Sequence, residues 1–206
     1  LVSSNTHFFE WCQNNLGVAH VEKSYQEWNN YERKSGNFIS SEDTNQIRQV
    51  RFGTLTKLQK KILKEVKYEQ SNRKLPDGTK YAGDRRISCY LDSSGNHGKT
   101  WLSMHLYETG RAMVVPRASC TPEKISAYVC SAYRGEEFII LDIPRSRKID
   151  AGLYEALEEL KDGLVYDHRY MGRCRNIRGA FIIVFTNNKL DTTKLSHDRW
   201  CLHGIH

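Results

Sequence analysis

The sequence predicts an α/β protein whose sheet is parallel and flanked by helices, with a small appendage at its amino end. Two nearly continuous apolar runs, at residues 138–143 and 180–187, are typical of strands that are buried on both faces of a parallel sheet. Shorter strand-like runs occupy residues 87–92 and 112–115, and helical patterns separate the runs. Because strand and helix alternate along the chain, we expect right-handed crossovers within one sheet.

Capping and turn residues mark where several of these elements begin and end. Thr121 is suited to cap a helix that has Pro122 at its first position, because a hydroxyl accepts an orphan backbone N–H and proline has none to lose. A second amphipathic helix is predicted over residues 150–162 and is ended by Gly163. The Pro-Asp-Gly sequence at residues 76–78 predicts a turn inside a loop.

Four segments are expected along the chain. Residues 1–34 form the aromatic and Asn-rich appendage, and residues 35–53 have the composition of a polar linker. Residues 54–80 contain apolar positions at helical spacing, which indicates either a plain packing helix or a helix that contacts a neighbouring subunit. Residues 81–206 carry the alternating pattern of strands and helices.

The composition favours an intracellular, soluble protein with a polyanionic partner. The chain has 31 Lys and Arg against 24 Asp and Glu, a net charge of +7, although simple solubility also accounts for such an excess. No apolar run reaches the roughly 18 residues that a membrane span needs. The six cysteines never form a CxxC pair, which argues against structural zinc or disulfides and for a reducing compartment. The start lacks both a signal-peptide pattern and a Met, so a truncated or processed product is expected.

A phosphate-binding loop is the strongest motif. Residues 93–100, SSGNHGKT, match the end of the pattern GxxxxGK[ST] between a strand and a helix, with Ser93 where the first Gly usually stands. Lys99 is expected to reach the β and γ phosphates of ATP, and Thr100 to offer its hydroxyl to Mg²⁺. The alternative is a Gly-containing turn without a ligand. The predicted nucleotide-binding residues are Ser94, Gly95, Asn96, His97, Gly98, Lys99 and Thr100.

Polar residues at the ends of two further strands complete the predicted site. Asp142 ends an apolar run and is expected to hold Mg²⁺ through water, or else to act as a strand-end cap. Asn187 follows the next buried run and suits contact with the γ-phosphate or the attacking water, or else a simple turn. Such elements should converge on one edge of the sheet. Ile143 occupies the position of a second acid, so the general base is left open among Glu136, Glu137, Glu158 and Glu159.

The segment 161–179 interleaves cations with Tyr166 and Tyr170. Cationic and aromatic groups together bind the phosphates and stack on the bases of single-stranded DNA, although a solvated basic hairpin is the alternative. Further along, Arg199 is a candidate to stabilise transition-state charge on a neighbouring subunit's nucleotide, or else pairs with an acid. The predicted DNA-binding residues are Lys161, Arg169, Arg173 and Arg175.

These motifs, in this order, resemble those of the replication-associated (Rep) proteins of small circular single-stranded DNA viruses, their satellites and related plasmids. The segments that carry the resemblance span about residues 54–202. They are similar to the Rep proteins of nanoviruses, alphasatellites and circoviruses. The matching segments are LTKLQKKILKEV, YLDSSGNHGKTWLSMHL, FIILDIPRS, YEALEELKDGLVYDHRY, AFIIVFTNN and KLSHDRW.

The resemblance implies a superfamily 3 helicase domain, an AAA+-like P-loop NTPase that uses ATP and Mg²⁺ and acts as a homo-oligomeric ring on single-stranded DNA. It also implies residence in the host nucleus. The residue roles that it implies are Walker A for Lys99 and Thr100, Walker B for Asp142, the motif C sensor for Asn187, the DNA-contacting hairpin for Arg169 and Arg175, and the arginine finger for Arg199.

The amino-terminal segment AHVEKSYQEWNNYERKSGN resembles the end of the family's HUH endonuclease domain. Its last motif, YxxK, falls on Tyr31 and Lys34, which makes Tyr31 a candidate nucleophile for DNA nicking, or else an ordinary aromatic residue. The earlier motifs, including the metal-binding histidine pair, have no match, so residues 1–34 are interpreted as a remnant of that domain.

Three functions follow from these interpretations. The leading hypothesis is the ATP-dependent DNA helicase domain of a rolling-circle replication initiator. A decayed relic that binds nucleotide or DNA without hydrolysis is the second, because of Ser93 and the truncated start. An RNA helicase of the same superfamily is the third, because nothing in the sequence reads a 2′-hydroxyl.

Overall fold

The structure, a computed structural model, describes residues 6–15, 36, 38–40, 43–119, 121–147, 149–169 and 172–205. Short 3₁₀ turns lie at Gly83–Arg85, Thr192–Lys194 and His197–Arg199. The helices are α1 (Thr6–Asn15), α2 (Asn45–Arg51), α3 (Lys57–Gln70), α4 (Lys99–Glu108), α5 (Pro122–Ala132) and α6 (Ala151–Asp162). The strands are β1 (Arg73–Lys74), β2 (Lys80–Tyr81), β3 (Ile87–Leu91), β4 (Ala112–Val115), β5 (Phe138–Ile143), β6 (Leu164–Asp167), β7 (Arg173–Asn176), β8 (Phe181–Thr186) and β9 (Trp200–Gly204).

Five parallel strands form the central sheet in the order β4–β5–β8–β3–β9. The predicted α/β class with a parallel sheet flanked by helices is confirmed. Strand β8 lies between β3 and β5, and its Phe185 is in register with Tyr90 on one side and with Asp142 on the other. Because neighbouring strands are about 4.8 Å apart, the carboxyl ends of β3 and β5 are separated by roughly 10 Å at one edge of the sheet.

Helices cover both faces of the sheet and bury its apolar side chains. Strand β5 is the clearest case, since four of its residues have no or almost no solvent exposure and contribute alternately to the two faces. Burial of this kind contributes about 25 cal/mol per Å² of apolar surface. One face packs against α5 and α6 through Ile125, Val129, Leu153 and Leu157, and the other against α3 and α4 through Ile62, Val66, Leu102 and Leu106.

The predicted helix ends are confirmed where a side chain or a glycine defines them. Thr121 accepts the Lys124 backbone N–H with Pro122 at the first position of α5. Asp150 caps α6 by accepting the Leu153 N–H at 3.2 Å. Gly163 ends the same helix in the left-handed region at φ 85°, which glycine adopts without a steric penalty.

The predicted linker over residues 35–53 is wrong for its second half. Residues 45–51 form α2, which Thr44 caps. Arg51 is only 3% exposed and donates to Asp43 at 2.5 Å and to Glu108 of α4 at 2.7 Å. This polar segment is therefore packed against the domain, because the buried Arg51 guanidinium is paired with an acid on both sides.

The β1–β2 hairpin and the strand β9 add to the predicted elements, whereas the hairpin of the basic segment was predicted. The predicted turn is present, since the Gly78 N–H donates to the Leu75 oxygen at 2.9 Å, but β1 and β2 pair on either side of it. The basic segment 161–179 forms a hairpin from β6 and β7. Strand β9 is an edge strand that the sequence patterns did not reveal.

Some predictions fall on residues that lie outside the described part of the chain. Tyr31, Lys34 and most of the 1–34 appendage are among them, and α1 is the part that is described. Among the described residues, none of the helices combines the length and the apolar character needed to cross a membrane. Free thiols are found at Cys12, Cys89, Cys130, Cys174 and Cys201.

Candidate nucleotide-binding site

The predicted phosphate loop joins the carboxyl end of β3 to the start of α4. Its backbone is left-handed at Gly95, Asn96 and Gly98, with φ of 84°, 66° and 75°. Two of these positions need glycine to avoid a steric penalty, and alternating turns of this kind direct backbone N–H groups into a common concavity. Helix α4 begins at Lys99 without a side-chain cap, so its first N–H groups are left for an anion.

Asp92, the residue after β3, organises this loop from inside. Its side chain is fully buried and accepts the Gly95 N–H at 2.7 Å and the His97 Nδ1 at 2.9 Å. It also forms an ion pair with the Lys99 Nζ. Burial raises the pKa of Asp92, but the bonds from Lys99, His97 and Gly95 outweigh it and hold this pKa at about 2. Asp92 therefore stays ionised and forms an ion pair with the Lys99 amine, the group that was predicted to bind phosphate.

Asp92 was not predicted from the sequence, although an acid at the end of a buried strand is the same signal that predicts a role for Asp142.

Asn187, predicted as a sensor, lies against the loop. Its Nδ2 donates to the Asp92 backbone oxygen at 2.5 Å. Arg145, which follows β5, donates to the Ser93 oxygen at 2.8 Å and was not predicted. A Cβ built on Gly95 would lie 3.6 Å from the Arg145 Nη2 and 4.0 Å from the Asn187 Nδ2. The loop, Arg145 and Asn187 therefore meet at one place.

Asp142 lies at the same edge of the sheet but two strands away from β3. Its side chain is 11% exposed and forms an ion pair with Arg117, which follows β4. The register through Phe185 places it roughly 10 Å from the end of β3. Lys99 and Asp142 each have a partner of opposite charge within the chain.

The acids considered as a general base lie away from this edge. Glu136 and Glu137 precede β5, about 17 to 20 Å along the strand from Asp142, and Glu137 pairs with Lys67 and Arg111.

The two candidate bases on α6, Glu158 and Glu159, are also remote from the loop. Glu158 pairs with Arg199 at 3.1 Å, and Glu159 accepts hydrogen bonds from the Ser126 hydroxyl and the Tyr166 N–H. The described residues thus place none of the four considered acids beside the loop.

Arg199 lies at the opposite edge of the sheet. It precedes Trp200, which is in register with Ile87, the first residue of β3. Its guanidinium is 5% exposed and its Nη2 is 3.0 Å from Asp162 and 3.1 Å from Glu158. Within one chain it therefore contacts acids of α6 and not the loop. Its role toward a neighbouring subunit stays a prediction.

Two of the predicted DNA-binding cations are engaged within the chain. The Lys161 Nζ donates to the Gln70 Oε1 at 2.8 Å, and burial lowers the pKa of Lys161 to about 8. Arg175 donates to the Cys130 oxygen at 2.7 Å. Lys161 therefore links the end of α6 to α3, and Arg175 holds the hairpin against α5.

The other two predicted DNA contacts lie toward the hairpin tip. Arg169 pairs with Asp167 at 2.9 Å and remains 62% exposed. Arg173, in register with Asp167, is also exposed. On the other face of the hairpin, Tyr166 is 41% exposed and its ring stacks on His168. These side chains are the part of the hairpin that is open to a ligand.

Fold and site together define an α/β protein in which a glycine loop, a lysine and strand-end polar residues share one edge of a five-stranded parallel sheet, an architecture consistent with P-loop NTPases. No family model matches the chain. Over 103 residues, 50% of this chain, the sequence is 31% identical to the master replication protein of Banana bunchy top virus. The aligned part covers 34% of that protein, so the chain spans about a third of the length of this curated relative.

Proposed function

We propose that this chain is the ATP-hydrolysing helicase domain of a rolling-circle replication initiator that acts on single-stranded DNA. The observation that carries the proposal is that the Lys99 loop and Asn187 lie together at the carboxyl edge of one parallel sheet, with Asp142 at the same edge two strands away, because ligands bind at this edge in open α/β folds. The similarity to a viral master replication protein supports the replication part of the proposal.

The residues present suit a magnesium nucleotide. The uncapped start of α4 and the left-handed glycines provide inward backbone donors. A Cβ added at Gly95 would lie no closer than 3.6 Å to its nearest neighbour, the Arg145 Nη2. Lys99 would hold the β and γ phosphates, and Thr100 with Asp142 would hold Mg²⁺. Bound Mg²⁺-ATP supplies the phosphoryl group and the charge neutralisation that transfer needs.

Two ion pairs must exchange before these residues bind a nucleotide. Lys99 contacts Asp92 and Asp142 contacts Arg117. The Asp92 carboxylate accepts from the Gly95 N–H and from the Lys99 amine, which are groups that a phosphate would use. Asp92 therefore acts as an internal anion that competes with the nucleotide and keeps the loop ordered without it. Asn187, whose side chain is bonded to the Asp92 backbone oxygen, would sense that exchange.

A second candidate function is nucleotide or DNA binding without turnover. It is favoured by the same two ion pairs and by the distance of Glu136, Glu137, Glu158 and Glu159 from the loop. In this case the chain would retain the loop for structure or regulation only.

ATP hydrolysis separates the two candidates. The assay measures phosphate release by the intact oligomer, with and without single-stranded DNA, for wild type, Asp92→Asn and the double variant Asp92→Asn with Lys99→Met. The double variant removes both charges of the buried pair, so it avoids the lone buried charge that Lys99→Met alone would create. We expect Asp92→Asn to hydrolyse ATP and the double variant to lose hydrolysis while it remains folded by circular dichroism. Absence of hydrolysis in wild type, with nucleotide still bound, would favour the binding protein, and equal rates in all three would refute the role of Lys99.

Single-stranded DNA and a homo-oligomeric ring are the proposed partners. On the β6–β7 hairpin, Arg169 and Arg173 are the exposed cations of the predicted set. For the ring, Arg199 would have to leave Asp162 and Glu158, which are themselves 61% and 49% exposed. Mixing Arg199→Ala subunits with subunits of the double variant Asp92→Asn with Lys99→Met tests this contact. If each active site combines the Lys99 of one subunit with the Arg199 of its neighbour, the mixture should recover part of the ATPase activity that each variant lacks alone.

A further inference from the structure

The positive charge of the chain is concentrated in residues 57–86. This segment has ten Lys or Arg and four Asp or Glu, a net charge of +6, whereas the whole chain has +7. The segment contains α3, the β1–β2 hairpin and the turn before β3, and it lies outside the predicted DNA hairpin at residues 161–179. Net charge that is confined to one continuous surface attracts a polyanion far more strongly than the same charge spread evenly.

The lysines of α3 form one stripe along the solvent face of the helix. At 100° per residue their positions fall within about a third of the helix circumference, and the opposite face, with Ile62, Leu63 and Val66, is buried against the sheet. The helix has 14 residues and is therefore about 21 Å long. Residues three and four apart on such a face are about 5–6 Å from each other. The lysine stripe consists of the exposed side chains of Lys57, Lys60, Lys61, Lys64 and Lys67.

The acids near the stripe neutralise only part of its charge. Glu69 accepts a hydrogen bond from Ser88 and contacts His203 at 2.7 Å. Glu65 accepts from the Tyr90 hydroxyl and lies 3.6 Å from the Lys61 amine, and Lys67 pairs with Glu137. The other three lysines of the stripe have no ion pair among the described residues, so the stripe keeps a net positive charge.

Aromatic and cationic side chains extend this surface from the end of α3 onto the hairpin. The Arg73 guanidinium lies 3.8 Å from the ring centroid of Tyr68 and 4.0 Å from that of Tyr81. The Arg86 guanidinium lies 5.8 Å from the ring centroid of Tyr81 and donates to its hydroxyl at 2.9 Å. Tyr68 is 63% exposed at the end of this stack, so its outer face is available to a planar group.

An open cleft of about 430 Å³ lies beside the stack. Its walls carry the exposed Lys74 and Lys80 together with Arg73 and Tyr81. The volume is within the usual range for small-ligand sites and suits a nucleotide unit. We call this feature the hairpin cleft.

We propose that the lysine stripe and the hairpin cleft form a second binding surface for single-stranded DNA, with phosphates along the stripe and the cleft and bases stacked on Tyr68. Lysine charge recognises the phosphate backbone without sequence preference, and an exposed aromatic ring stacks on any unpaired base. A duplex keeps its bases inside and gains nothing from the ring. The surface lies apart from the nucleotide site, so this inference does not depend on ATP hydrolysis.

The test compares two quadruple variants of equal charge. The surface variant carries Lys60→Gln, Lys64→Gln, Lys74→Gln and Lys80→Gln. The control variant carries Lys124→Gln, Arg134→Gln, Lys189→Gln and Lys194→Gln, which neutralises four exposed cations elsewhere. Fluorescence anisotropy with a labelled 20-nucleotide oligo(dT), without nucleotide, gives the dissociation constant from 50 to 200 mM salt.

Each lost phosphate contact lowers the slope of log K against log salt by about 0.7 for a single strand. Four lost contacts lower it by about 3, so wild type should lose about fifty-fold more affinity than the surface variant across this fourfold range of salt. The control variant should keep the wild-type slope, and Tyr68→Ala should weaken oligo(dT) more than a duplex of equal length.

Three outcomes would overturn the proposal. Equal slopes for the surface and control variants would show that only overall charge matters. Tighter binding of the duplex, with the same sensitivity to the surface variant, would exclude a single-strand surface. A change of oligomeric state in sedimentation velocity, with unchanged affinity for oligo(dT), would assign the lysine stripe to a contact with an acidic protein surface.

Discussion

The buried pair of Asp92 and Lys99 should contribute measurably to stability as well as to function. Asp92 has no solvent exposure and the Lys99 side chain is 8% exposed. The pKa of Asp92 is held at about 2, against an ordinary value of 3.8. At about 1.4 kcal/mol per pKa unit, this difference corresponds to roughly 2 kcal/mol of stability at neutral pH. Removing one partner of a buried pair costs about 3–5 kcal/mol, because the other charge is left behind.

A double-mutant cycle of Asp92→Asn and Lys99→Met measures this coupling. Urea unfolding at pH 7 gives the free energy of unfolding of wild type, both single variants and the double variant. We expect the double variant to lose about 2 kcal/mol less than the sum of the single losses. The matched control is the cycle of Arg85→Gln and Asp198→Asn, an ion pair with both side chains more than half exposed, for which the coupling should lie between about 0 and 1 kcal/mol.

The pH dependence gives a second check on the same pair. Because the folded-state pKa of Asp92 lies below its unfolded value, its contribution is complete above about pH 4 and is lost as the pH falls towards 2. The destabilisation by Asp92→Asn should therefore be equal at pH 7 and pH 5.5. Additive losses in the cycle, with a coupling below about 0.5 kcal/mol, would refute the reasoning.

Three further predictions follow from groups in or near the sheet. Asp92→Asn should raise the affinity for ADP measured by calorimetry, since the neutral amide no longer holds the lysine, and an unchanged or weaker affinity would contradict the competing-anion argument. Contact with Glu69 raises the pKa of His203, so the stability that His203 contributes is present below pH 6.5 and is lost as the pH rises through its folded-state pKa. The difference in Tm between wild type and His203→Gln should therefore shrink from pH 6 to pH 9. A constant difference in Tm would contradict this role of His203. Burial lowers the pKa of Lys161 to about 8, so wild type should gain stability relative to Lys161→Met as the pH rises from 8 to 10. Because the Lys161 amine donates to Gln70, the variant should also keep its affinity for single-stranded DNA. A marked loss of affinity would restore Lys161 as a DNA contact.

Local patterns were sufficient for the interior of the sheet. Strand β5 was predicted with its observed limits because six apolar or strand-ending residues in a row have few alternatives to a buried parallel strand. The start of α5 was predicted from Thr121 and Pro122 because capping depends on residues within one turn. In both cases the relevant physics lies within a few residues of the chain.

Non-local partners decided what the patterns missed. Strand β9 is a short edge strand without a continuous apolar run, and it becomes a strand by pairing with β3, more than a hundred residues earlier. The stack of Tyr68, Arg73 and Tyr81 likewise depends on α3 and the hairpin being brought together. Sequence spacing carries no record of such pairings.

By itself, the sequence determined the class of fold, the position of the glycine loop at the end of a buried strand, and the presence of polar residues at the ends of two neighbouring strands. Only the tertiary structure decided the partners: that Lys99 meets Asp92, that Asp142 meets Arg117, that Arg199 lies at the far edge with α6, and that the exposed positive charge runs along α3. The physical reason is that apolar periodicity and capping are set by neighbouring residues, whereas the pairing of charges depends on which side chains the packed helices and strands bring within a few ångströms.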